Sequence, residues 1–362
     1  MSPGGPIDAV VFQPDLGAEA RRLLQLERPR PTGLACIVSD PHSQPHADPV
    51  AAAWEAAGGT VVRATVPAGE AAKTLDTLED LWDTLLRLPA DRGTLVIAVG
   101  GGALGDVVGL AASTALRGLP WVVLPTTLLA MVDSALGGKV GINRPAGKNL
   151  IGAFHHPLAI WIVPQALTTL PEREYRSGLA EVVKYGVIAA PTLFQWIEAN
   201  SAALTRRDPA AVLHVVRECL QIKSDVVQQD EREETGLRAQ LNYGHTFAHA
   251  FETVAGHGTW LHGEAVAAGM ICAPRLARRL GLCHDDLVER QHALLAGLGL
   301  PVRPDPAWDP QAILAAMALD KKQRAGKLRF VLPRRLGCVE LIEVTESALV
   351  AASLRDDPCP PI

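Results

Sequence analysis

Short apolar runs alternate with helix-like segments along the first half of the chain. Aliphatic and β-branched residues predominate in four of these runs, at 34–39, 60–66, 94–99 and 121–124. Runs this apolar are typical of strands buried on both faces, so they predict a parallel sheet flanked by helices. From about Ala166 onward, Ala/Leu-rich segments with helical spacing take over, at 178–188, 210–228, 240–254 and 262–280. The second half is therefore predicted to be mostly helical.

The length of the chain indicates more than one domain. At 362 residues it exceeds the size at which a single hydrophobic core usually keeps growing. We predict an α/β protein with an N-terminal, Rossmann-like parallel-sheet domain over residues 1–165 and a mostly α-helical C-terminal domain over residues 166–350. The Pro-rich end, 351–362, is predicted to be a disordered tail.

Composition argues against several classes of function. The formal net charge is −5 and the pI is about 6.1, whereas proteins that bind nucleic acids usually carry a concentrated basic excess. No apolar run in the sequence is long enough to cross a bilayer, and the first residues lack the pattern of a secretory signal. The six cysteines are scattered, without the close pairs that bind structural zinc. We expect a cytoplasmic protein with neither a nucleic-acid nor a membrane partner.

A glycine-rich loop follows the third predicted strand. Gly100-Gly-Gly-Ala-Leu-Gly105 matches the G-x-G-x-x-G pattern and opens an apolar helical stretch. Glycines at such a turn let the backbone approach a pyrophosphate, which indicates a dinucleotide site, although a tight strand-to-helix turn has the same pattern. The acid that binds ribose in a Rossmann domain is missing about 20 residues later, where Pro125-Thr-Thr stands. Asp40 and Asp106 are the alternatives, and either could instead be a turn or cap residue.

A polar run between 125 and 152 interleaves glycines with basic residues. It contains Asp133, Lys139, Lys148 and Asn149. Ammonium and amide groups on a glycine-rich loop are typical of a site that surrounds phosphate or a hydroxylated substrate. A solvated surface loop is the alternative, but such a loop need not carry these side chains in so short a span.

Carboxylate and imidazole side chains recur at helical spacing in the second half. Glu181 and Lys184 are three residues apart, His245 and His249 are four apart, and His262 begins a further helix-like segment. Residues at these spacings share one face of a helix. One carboxylate and two imidazoles from three helices, with an open coordination position, predict a catalytic zinc site. From spacing alone, His245 and His249 could be the ligand pair, and any one histidine could be a core residue.

A series of motifs runs in a fixed order from about residue 34 to 335. The motifs include Ala68-Gly-Glu70-Ala-Ala-Lys73, Gly100-Gly-Gly, Pro125-Thr-Thr, Gly137-Gly-Lys139, Gly147-Lys-Asn149, Glu181-Val-Val-Lys184, Gly236-Leu-Arg238, Asn242-Tyr-Gly-His245 and Leu261-His262-Gly. In type and order they resemble the 3-dehydroquinate synthase family of sugar-phosphate cyclases. The segment 230–238 is one residue longer than the family pattern, which leaves the position of Lys223 relative to Arg238 open.

The resemblance implies that the first domain binds NAD and the second binds metal and substrate. The implied ligands of zinc, or of cobalt in its place, are Glu181, His245 and His262, which makes His249 a substrate contact. The implied NAD contacts are Asp40, Glu70, Lys73, Gly100, Gly101, Gly102, Asp106, Thr126, Thr127, Asp133, Lys139 and Lys148. The implied substrate contacts are Lys139, Asn149, Lys184, Lys223, Arg238, Asn242, His249 and one of the pair Lys321 and Lys322. Arg117 resembles an arginine that the neighbouring subunit of a homodimer contributes.

The same resemblance implies an activity. Family members convert 3-deoxy-D-arabino-heptulosonate 7-phosphate into 3-dehydroquinate and phosphate, a step of the shikimate pathway towards aromatic amino acids. Transient oxidation at C5 by NAD makes the C6 proton removable, and phosphate then leaves by β-elimination. Return of the hydride, ring opening and an aldol addition complete the reaction, so the enzyme class is an NAD- and metal-dependent carbon–oxygen lyase.

Other activities remain as alternatives. A related cyclase of secondary metabolism, of the aminodehydroquinate or 2-epi-5-epi-valiolone synthase type, would use the same two cofactors. An NAD- and metal-dependent polyol dehydrogenase would also use them, but it gives no reason for the basic residues Lys139, Lys148 and Arg238. We therefore expect phosphate-eliminating ring closure.

Overall fold

The chain folds as two units. The computed structural model describes residues 6–26, 32–88, 90–145, 147–231, 233, 235–256, 258–321 and 328–355, with the backbone alone for 319–321. Contacts divide the chain into an N-terminal unit, Met1–Leu170, and a C-terminal unit, Pro171–Ile362. Among the described helices, none has both the length and the apolar character that a bilayer crossing requires.

A parallel sheet forms the centre of the N-terminal unit. The strands described in this unit are β1 (Val10–Phe12), β2 (Leu34–Ser39), β3 (Thr60–Thr65), β4 (Leu95–Gly100), β5 (Trp121–Pro125), β6 (Lys139–Arg144), β7 (Gly147–Phe154) and β8 (Ala159–Ile162). Six of them pair in parallel, in the order β1-β8-β5-β4-β2-β3, and β6 and β7 form a separate antiparallel hairpin. The predicted α/β fold with a parallel sheet is confirmed.

Burial distinguishes the inner strands from the edge. Every residue of β2, β4 and β5 is buried, as the apolar runs predict. β3 lies at the edge of the sheet, and none of its residues is buried. The prediction that this run is buried on both faces is therefore wrong. Its hydrophobic residues Val61 and Val62 are only half-buried, and among the described strands β2 alone pairs with β3.

Helices cover this sheet. The α-helices described in the N-terminal unit are α1 (Leu16–Leu24), α2 (Gln44–Ala56), α3 (Leu75–Arg87) and α4 (Gly102–Thr114). Leu23 of α1 and Trp54 of α2 join the buried core that Ile37 and Ile97 form on one face of the sheet. Ile37 and Ile97 face each other in neighbouring strands. The alternate residues of these strands therefore give α1 and α2 a continuous apolar surface.

The strand order reverses direction between β2 and β4. The chain moves outward from β2 to β3, returns past β2 to β4, and then continues in the opposite direction through β5 to β8. In open parallel sheets, ligands bind outside the carboxyl ends of the strands at such a switch point. Ser39 pairs with Val99 there, so Asp40 and Gly100 follow on neighbouring strands.

The C-terminal unit consists mainly of helices, as predicted. The α-helices described in it are α5 (Glu172–Ile188), α6 (Pro191–Thr205), α7 (Pro209–Gln229), α8 (His245–Ala255), α9 (His262–Arg279), α10 (Asp285–Gly297), α11 (Pro310–Lys321) and α12 (Ser347–Ser353). An antiparallel hairpin of β9 (Leu328–Arg335) and β10 (Cys338–Val344) is absent from the sequence prediction. Residues 351–353 of the predicted tail belong to α12, and 356–362 lie outside the described residues.

Two glycines determine how α5, α8 and α9 meet. Gly244 has a left-handed backbone with φ of 79°, so α8 begins at His245 and not near residue 240 as the apolar pattern suggests. Gly263 lies at the start of α9, where a Cβ would be 1.8 Å from the carbonyl oxygen of Ser177 in α5. Only glycine permits this approach, which places the start of α9 against α5.

Candidate active site

A glycine-lined pocket of the N-terminal unit lies where β4 runs into α4. Gly100 ends the strand, Gly101 is the N-cap of the helix and Gly102 is its first residue. The residues that line the pocket are Gly100, Gly101, Gly102, Gly105, Asp106, Trp121, Val123, Ala130, Ser134, Ala135, Gly138 and Lys139. Backbone N–H groups and the helix dipole attract anions at such a point, so the arrangement suits a pyrophosphate.

Two glycines of this pocket, Gly101 and Gly102, leave little room for side chains. A Cβ on Gly102 would lie 2.6 Å from Ser134 Oγ, and one on Gly101 would lie 3.1 Å from Thr127 Cγ2. Thr126 donates its backbone N–H to the carbonyl oxygen of Gly100 at 2.9 Å. The loop after β5 therefore lies against the loop after β4, and together they form a glycine-lined cradle of a kind that suits a pyrophosphate group.

Asp40 follows β2 and is buried within a turn. Its Oδ1 accepts hydrogen bonds from the backbone N–H groups of His42 and Ser43, both at 2.8 Å. Asp40 therefore acts as a turn residue, which is one of the two roles that the sequence leaves open for it. A carboxylate has a second oxygen, so a ribose contact through Oδ2 is compatible with this turn.

Lys73, Asp106 and Asn149 form one polar network. The Lys73 side chain is 4% exposed, and its Nζ lies 2.5 Å from Asp106 Oδ2. The same ammonium group donates to Asn149 Oδ1. The network therefore joins Lys73 and Asp106, both expected to contact NAD, to Asn149, which is expected to contact the substrate.

Asn143 of β6 joins three of the predicted site residues, although the sequence does not single it out. Its Nδ2 donates to Glu70 Oε2 at 2.8 Å, and its Oδ1 accepts from the backbone N–H of Asn149 at 3.0 Å. Its own backbone N–H donates to the carbonyl oxygen of Lys73 at 2.9 Å. An asparagine within the polar run 125–152 is the only sequence signal for this role, because the partners come from distant parts of the chain.

The other predicted residues of the polar run lie near the pocket or on the hairpin. Asp133 belongs to a short π-helix, Ala130–Ser134, and Lys139 lines the glycine-lined pocket at the start of β6. Lys148 and Asn149 are exposed on β7. Asn149 has a left-handed backbone with φ of 56°, which asparagine tolerates better than most residues.

Arg117 is exposed in a turn with a strained backbone. Leu116 and Arg117 have positive φ values of 49° and 67°. Left-handed conformations in non-glycine residues cost free energy, and such strain is concentrated at functional sites. The left-handed backbone at Leu116 and Arg117 therefore marks this turn as a candidate functional position.

Three side chains of the C-terminal unit form a metal-ligand cluster. Glu181 on α5, His245 on α8 and His262 on α9 each offer one ligand atom, and these atoms lie within 4.8 Å of one another. The Nε2 atoms of both histidines are 3.5 Å from Glu181 Oε1. One carboxylate and two imidazoles form a donor set that catalytic zinc accepts.

The second nitrogen of each imidazole is held from outside the cluster. His245 Nδ1 lies 3.1 Å from the carbonyl oxygen of Tyr243, and His262 Nδ1 lies 3.2 Å from Glu252 Oε1. A proton donated from Nδ1 leaves the Nε2 lone pair directed at the cluster, which is the tautomer that binds a metal. The cluster therefore fits a divalent ion in geometry as well as in chemistry.

The two imidazoles differ in their electrostatic surroundings. Burial lowers the pKa of His245 to about 3, so this imidazole is neutral at pH 7, as a ligand must be. Burial also acts to lower the pKa of His262, but hydrogen bonds and charges from Glu181 and Glu252 outweigh it and raise that pKa to about 9. A metal ion bound here would displace a proton from His262, so its affinity should increase with pH.

Lys184 shares the carboxylate of the cluster. Its side chain is 1% exposed, and its Nζ contacts Glu181 Oε2. The two oxygens of Glu181 therefore face different groups, with Oε1 near the histidines and Oε2 near the ammonium group. Glu181 can act as a metal ligand through one oxygen while the other keeps its charge partner.

The remaining predicted substrate residues differ in exposure. His249 is exposed, and its ring centroid lies 5.8 Å from that of His245, so it is close to the cluster but outside it. Asn242 is exposed and Lys223, on α7, is buried. Lys321 ends α11, where the backbone alone is described, and Lys322 lies outside the described residues.

Arg238 is buried and contacts its own loop. Its Nη1 donates to the carbonyl oxygen of Glu231 at 2.7 Å, and its Nε lies 3.6 Å from Glu233 Oε1. Asp230 Oδ2 accepts from the backbone N–H of Arg238 at 3.1 Å. A substrate carboxylate at this guanidinium would therefore compete with the carboxylate of Glu233.

Two family models match adjoining parts of the chain. The model for the N-terminal part of 3-dehydroquinate synthase matches residues 63–177, and the model for its C-terminal part matches residues 178–323. These ranges include both the glycine-lined pocket and the metal-ligand cluster.

Curated relatives match at high identity. The 3-dehydroquinate synthase of Halorhodospira halophila is 52% identical over 280 residues, which cover 77% of this chain and 78% of the relative. The 3-dehydroquinate synthase of Rhodopirellula baltica is 47% identical over 310 residues, which cover 84% of this chain and 82% of the relative. The similarity therefore extends over most of each protein.

Solved structures share the fold. The 2-epi-5-epi-valiolone synthase of Streptomyces hygroscopicus, with NAD+ and Zn2+ bound, has a TM-score of 0.85 and 31% identity over 95% of each chain. A 2-deoxy-scyllo-inosose synthase complexed with carbaglucose-6-phosphate, NAD+ and Co2+ has a TM-score of 0.85 and 27% identity over 96% of each chain. From the family models and the curated relatives together, the chain belongs to the 3-dehydroquinate synthase family.

Proposed function

We propose that this enzyme converts 3-deoxy-D-arabino-heptulosonate 7-phosphate into 3-dehydroquinate and phosphate. The metal-ligand cluster of Glu181, His245 and His262 carries the proposal, because it is complete in a chain that is 52% identical to a 3-dehydroquinate synthase. The identity to the 2-epi-5-epi-valiolone synthase is lower, at 31%. A cytoplasmic location is part of the proposal and is supported by the biosynthetic role of the family.

NAD and a divalent ion are the proposed cofactors. Bound NAD supplies a hydride acceptor that is regenerated in the same turnover, and a bound zinc or cobalt ion supplies a Lewis acid that stabilises negative charge on substrate oxygens. The cradle of Gly101 and Gly102 would hold the pyrophosphate, and Glu181, His245 and His262 would hold the ion. The solved relatives with NAD+ and either Zn2+ or Co2+ support this choice.

Side chains of the N-terminal unit are proposed to hold the phosphate of the substrate. Lys139 lines the glycine-lined pocket, and Lys148 and Asn149 are exposed on β7. Ammonium and amide groups donate hydrogen bonds to phosphate oxygens, and the ammonium bonds are charge-assisted. A phosphate held in this way can accept the C6 proton itself as the C7–O bond breaks. The residues then accelerate elimination by positioning, and no side chain is needed as the base.

Buried cations of the C-terminal unit are proposed to select an acid substrate. Arg238 and Lys223 are both buried, so a hydrogen bond from either side chain to a substrate carboxylate would be little weakened by water. The planar guanidinium group suits two carboxylate oxygens much better than a hydroxymethyl group. Because Arg238 already lies 3.6 Å from the carboxylate of Glu233, a substrate carboxylate would replace one anion with another.

Phosphate release and nicotinamide absorbance, followed in parallel, test this function. The enzyme with NAD and zinc is offered the heptulosonate phosphate, its amino analogue, sedoheptulose 7-phosphate and glycerol. Phosphate should be released from the heptulosonate with NAD needed only in catalytic amounts. Preference for the amino analogue or for the sedoheptulose would identify a cyclase of secondary metabolism. Stoichiometric NADH from glycerol would identify a polyol dehydrogenase.

A homodimer in which Arg117 completes the partner's site is also part of the proposal. The exposed, strained turn at Leu116 and Arg117 supports it. Mixing an Arg117→Ala chain with a Glu181→Gln chain should restore part of the activity, because each hybrid contains one complete set of residues. Verified heterodimers without any rescue would contradict the shared site.

A further inference from the structure

Glu252 is a buried carboxylate beside the metal-ligand cluster. It lies on α8, is 7% exposed, and its Oε1 is 3.2 Å from His262 Nδ1. The cluster itself receives its carboxylate from Glu181, through the Nε2 side of the same imidazole. Glu252 therefore contacts the ligand His262 on the ring edge that faces away from the cluster.

The two ligand histidines differ in what holds their second nitrogen. His245 Nδ1 lies 3.1 Å from a neutral group, the carbonyl oxygen of Tyr243, two residues earlier in the same chain segment. His262 Nδ1 lies beside a carboxylate from a different helix. His262 is also the more exposed of the two, with 34% of its side chain accessible against 12% for His245. The more exposed ligand, His262, therefore has the stronger hydrogen-bond acceptor at its Nδ1, the carboxylate of Glu252.

A carboxylate in this position has two physical effects on a ligand imidazole. It fixes the tautomer and the ring orientation, and it makes Nε2 a more basic donor to the metal. It also places a negative charge near the divalent ion, where low dielectric makes the attraction stronger than in water. Burying a carboxylate is costly unless a cation or hydrogen bond compensates it, and the contact with His262 Nδ1 provides such compensation for Glu252.

We propose that Glu252 is a positioning residue that orients His262 and increases the affinity of the site for a divalent ion. The inference rests on the metal site of the proposed function. Glu252 does not coordinate the ion in this arrangement, because the Nδ1–H bond and the Nε2 lone pair of an imidazole point in divergent directions. Its effect therefore acts through His262.

Zinc affinity of the full-length protein, measured by competition with a chromophoric chelator, tests the proposal. The measurement is made at a pH where the His262 imidazole is neutral in every variant, because Glu252 also stabilises the protonated form of this imidazole. Glu252→Ala should weaken zinc binding about 10- to 100-fold, the usual result of removing a partner of a ligand histidine. Glu252→Gln should lose roughly half of that on a logarithmic scale, because an amide oxygen still accepts from Nδ1 but carries no charge. Glu218→Gln, the same change at an exposed position on α7, is the matched control and should bind zinc like the wild type.

The cobalt spectrum separates positioning from a merely structural role. Replacement of Glu252 should change the visible absorption of the Co2+-loaded protein, because the donor strength and orientation of His262 change, whereas Glu218→Gln should leave it unaltered. Thermal unfolding without metal checks that each variant folds. If Glu252→Ala does not fold, the Gln variant decides. Wild-type zinc affinity and an unchanged cobalt spectrum in Glu252→Gln would then overturn the proposal.

Failure of the proposed function gives a different result. A wild-type protein that binds zinc no better than Glu181→Gln has no metal site at the cluster, and the cofactor assignment falls with it. If the wild type binds zinc far better than Glu181→Gln but no better than either Glu252 variant, the metal site stands and only the proposed role of Glu252 is excluded.

Discussion

The glycine-lined pocket and the metal-ligand cluster are built from different parts of the chain. Glycines and backbone N–H groups at the start of α4 form the pocket, and a Cβ on Gly102 would already meet Ser134 at 2.6 Å. The cluster consists of side-chain atoms from three helices. The proposed ligands explain the difference: a pyrophosphate binds several N–H groups over an open surface, whereas a metal ion needs a few lone pairs at one point.

The two regions also differ in how their residues are supported. Asn149, beside the pocket, has a left-handed backbone and depends on Asn143 and Lys73 for its position. Glu181 and His245 lie on regular helices, and a glycine contact brings the third helix close to them. A hydrogen-bonded hairpin therefore supports one site and close helix packing supports the other. Substitutions should affect the two sites separately.

Loss of the metal should have the largest effect. Chelation or Glu181→Gln is expected to reduce phosphate release to the assay background, because an incomplete ligand set does not hold a catalytic ion. Glutamine is preferable to alanine because it keeps a polar group beside the buried ammonium group of Lys184. Zinc or cobalt should restore the chelated wild type, and NAD binding, measured by fluorescence, should not change. Full activity in a metal-free preparation would exclude this role of the cluster.

Replacement of Arg238 should have the next largest effect, on substrate choice. Arg238→Ala is expected to raise KM for the heptulosonate phosphate and to lower its kcat/KM advantage over sedoheptulose 7-phosphate about a hundredfold. Arg238→Lys keeps the charge but lacks the planar guanidinium group, so its kcat/KM advantage should lie between those of the wild type and Arg238→Ala. Exposed Arg217→Ala on α7 is the control and should leave the ratio unchanged. Equal turnover of both sugars by the wild type would contradict the selection of an acid.

A side chain in the glycine cradle should weaken NAD binding and leave zinc binding intact. Gly102→Ala introduces a Cβ that would lie 2.6 Å from Ser134 Oγ. A backbone shift that costs NAD binding about 1–3 kcal/mol, the usual cost of overpacking a core, raises the dissociation constant of NAD roughly 5- to 150-fold. In Gly105→Ala the new Cβ would meet Val123 at 3.9 Å, an ordinary contact, so this variant should bind NAD more nearly like the wild type. Equal NAD affinity in both variants and the wild type would show that the cradle does not hold the cofactor.

Loss of the Asn143 side chain should have the smallest effect of the series. Asn143→Leu removes the hydrogen bonds to Glu70 and to the backbone of Asn149, so NAD affinity should fall about fivefold, as expected for roughly 1 kcal/mol. Exposed Arg144→Ala on the same strand should have no effect. An unchanged NAD affinity in Asn143→Leu would mean that the pocket does not depend on this network.

Local sequence patterns predicted where the strands lie better than they predicted how deeply each strand is buried. The apolar runs identify β2, β4 and β5, because a strand buried on both faces requires apolar residues throughout. The run of β3 is less apolar, with the charged Arg63 in its interior, and it lies at the edge of the sheet. The charged residue is consistent with an exposed strand, but which strands pair beside β3 is decided by residues elsewhere in the chain.

Two residues that the sequence did not predict, one near the glycine-lined pocket and one beside the metal-ligand cluster, show the same limit. Asn143 contacts Glu70 across 73 positions of the sequence, and Glu252 contacts His262 from a different helix. Neither residue belongs to a motif, since any asparagine in a loop or glutamate in a helix looks the same in sequence. Arg238 stands in a motif, but its contact with Glu233 becomes visible only in the folded loop.

The chemistry available to this protein is already present in local segments of its sequence: a glycine turn after a buried strand, a basic polar run, and carboxylate and imidazole groups at helical spacing. These features are local, because they depend on backbone freedom and on the periodicity of a helix or strand. Which of these groups come into contact depends on the fold. Gly263 allows α9 to approach α5, so His262 Nε2 comes to lie 3.5 Å from Glu181 Oε1. Contacts of this kind depend on packing between distant segments, where a single missing Cβ changes the distance between helices.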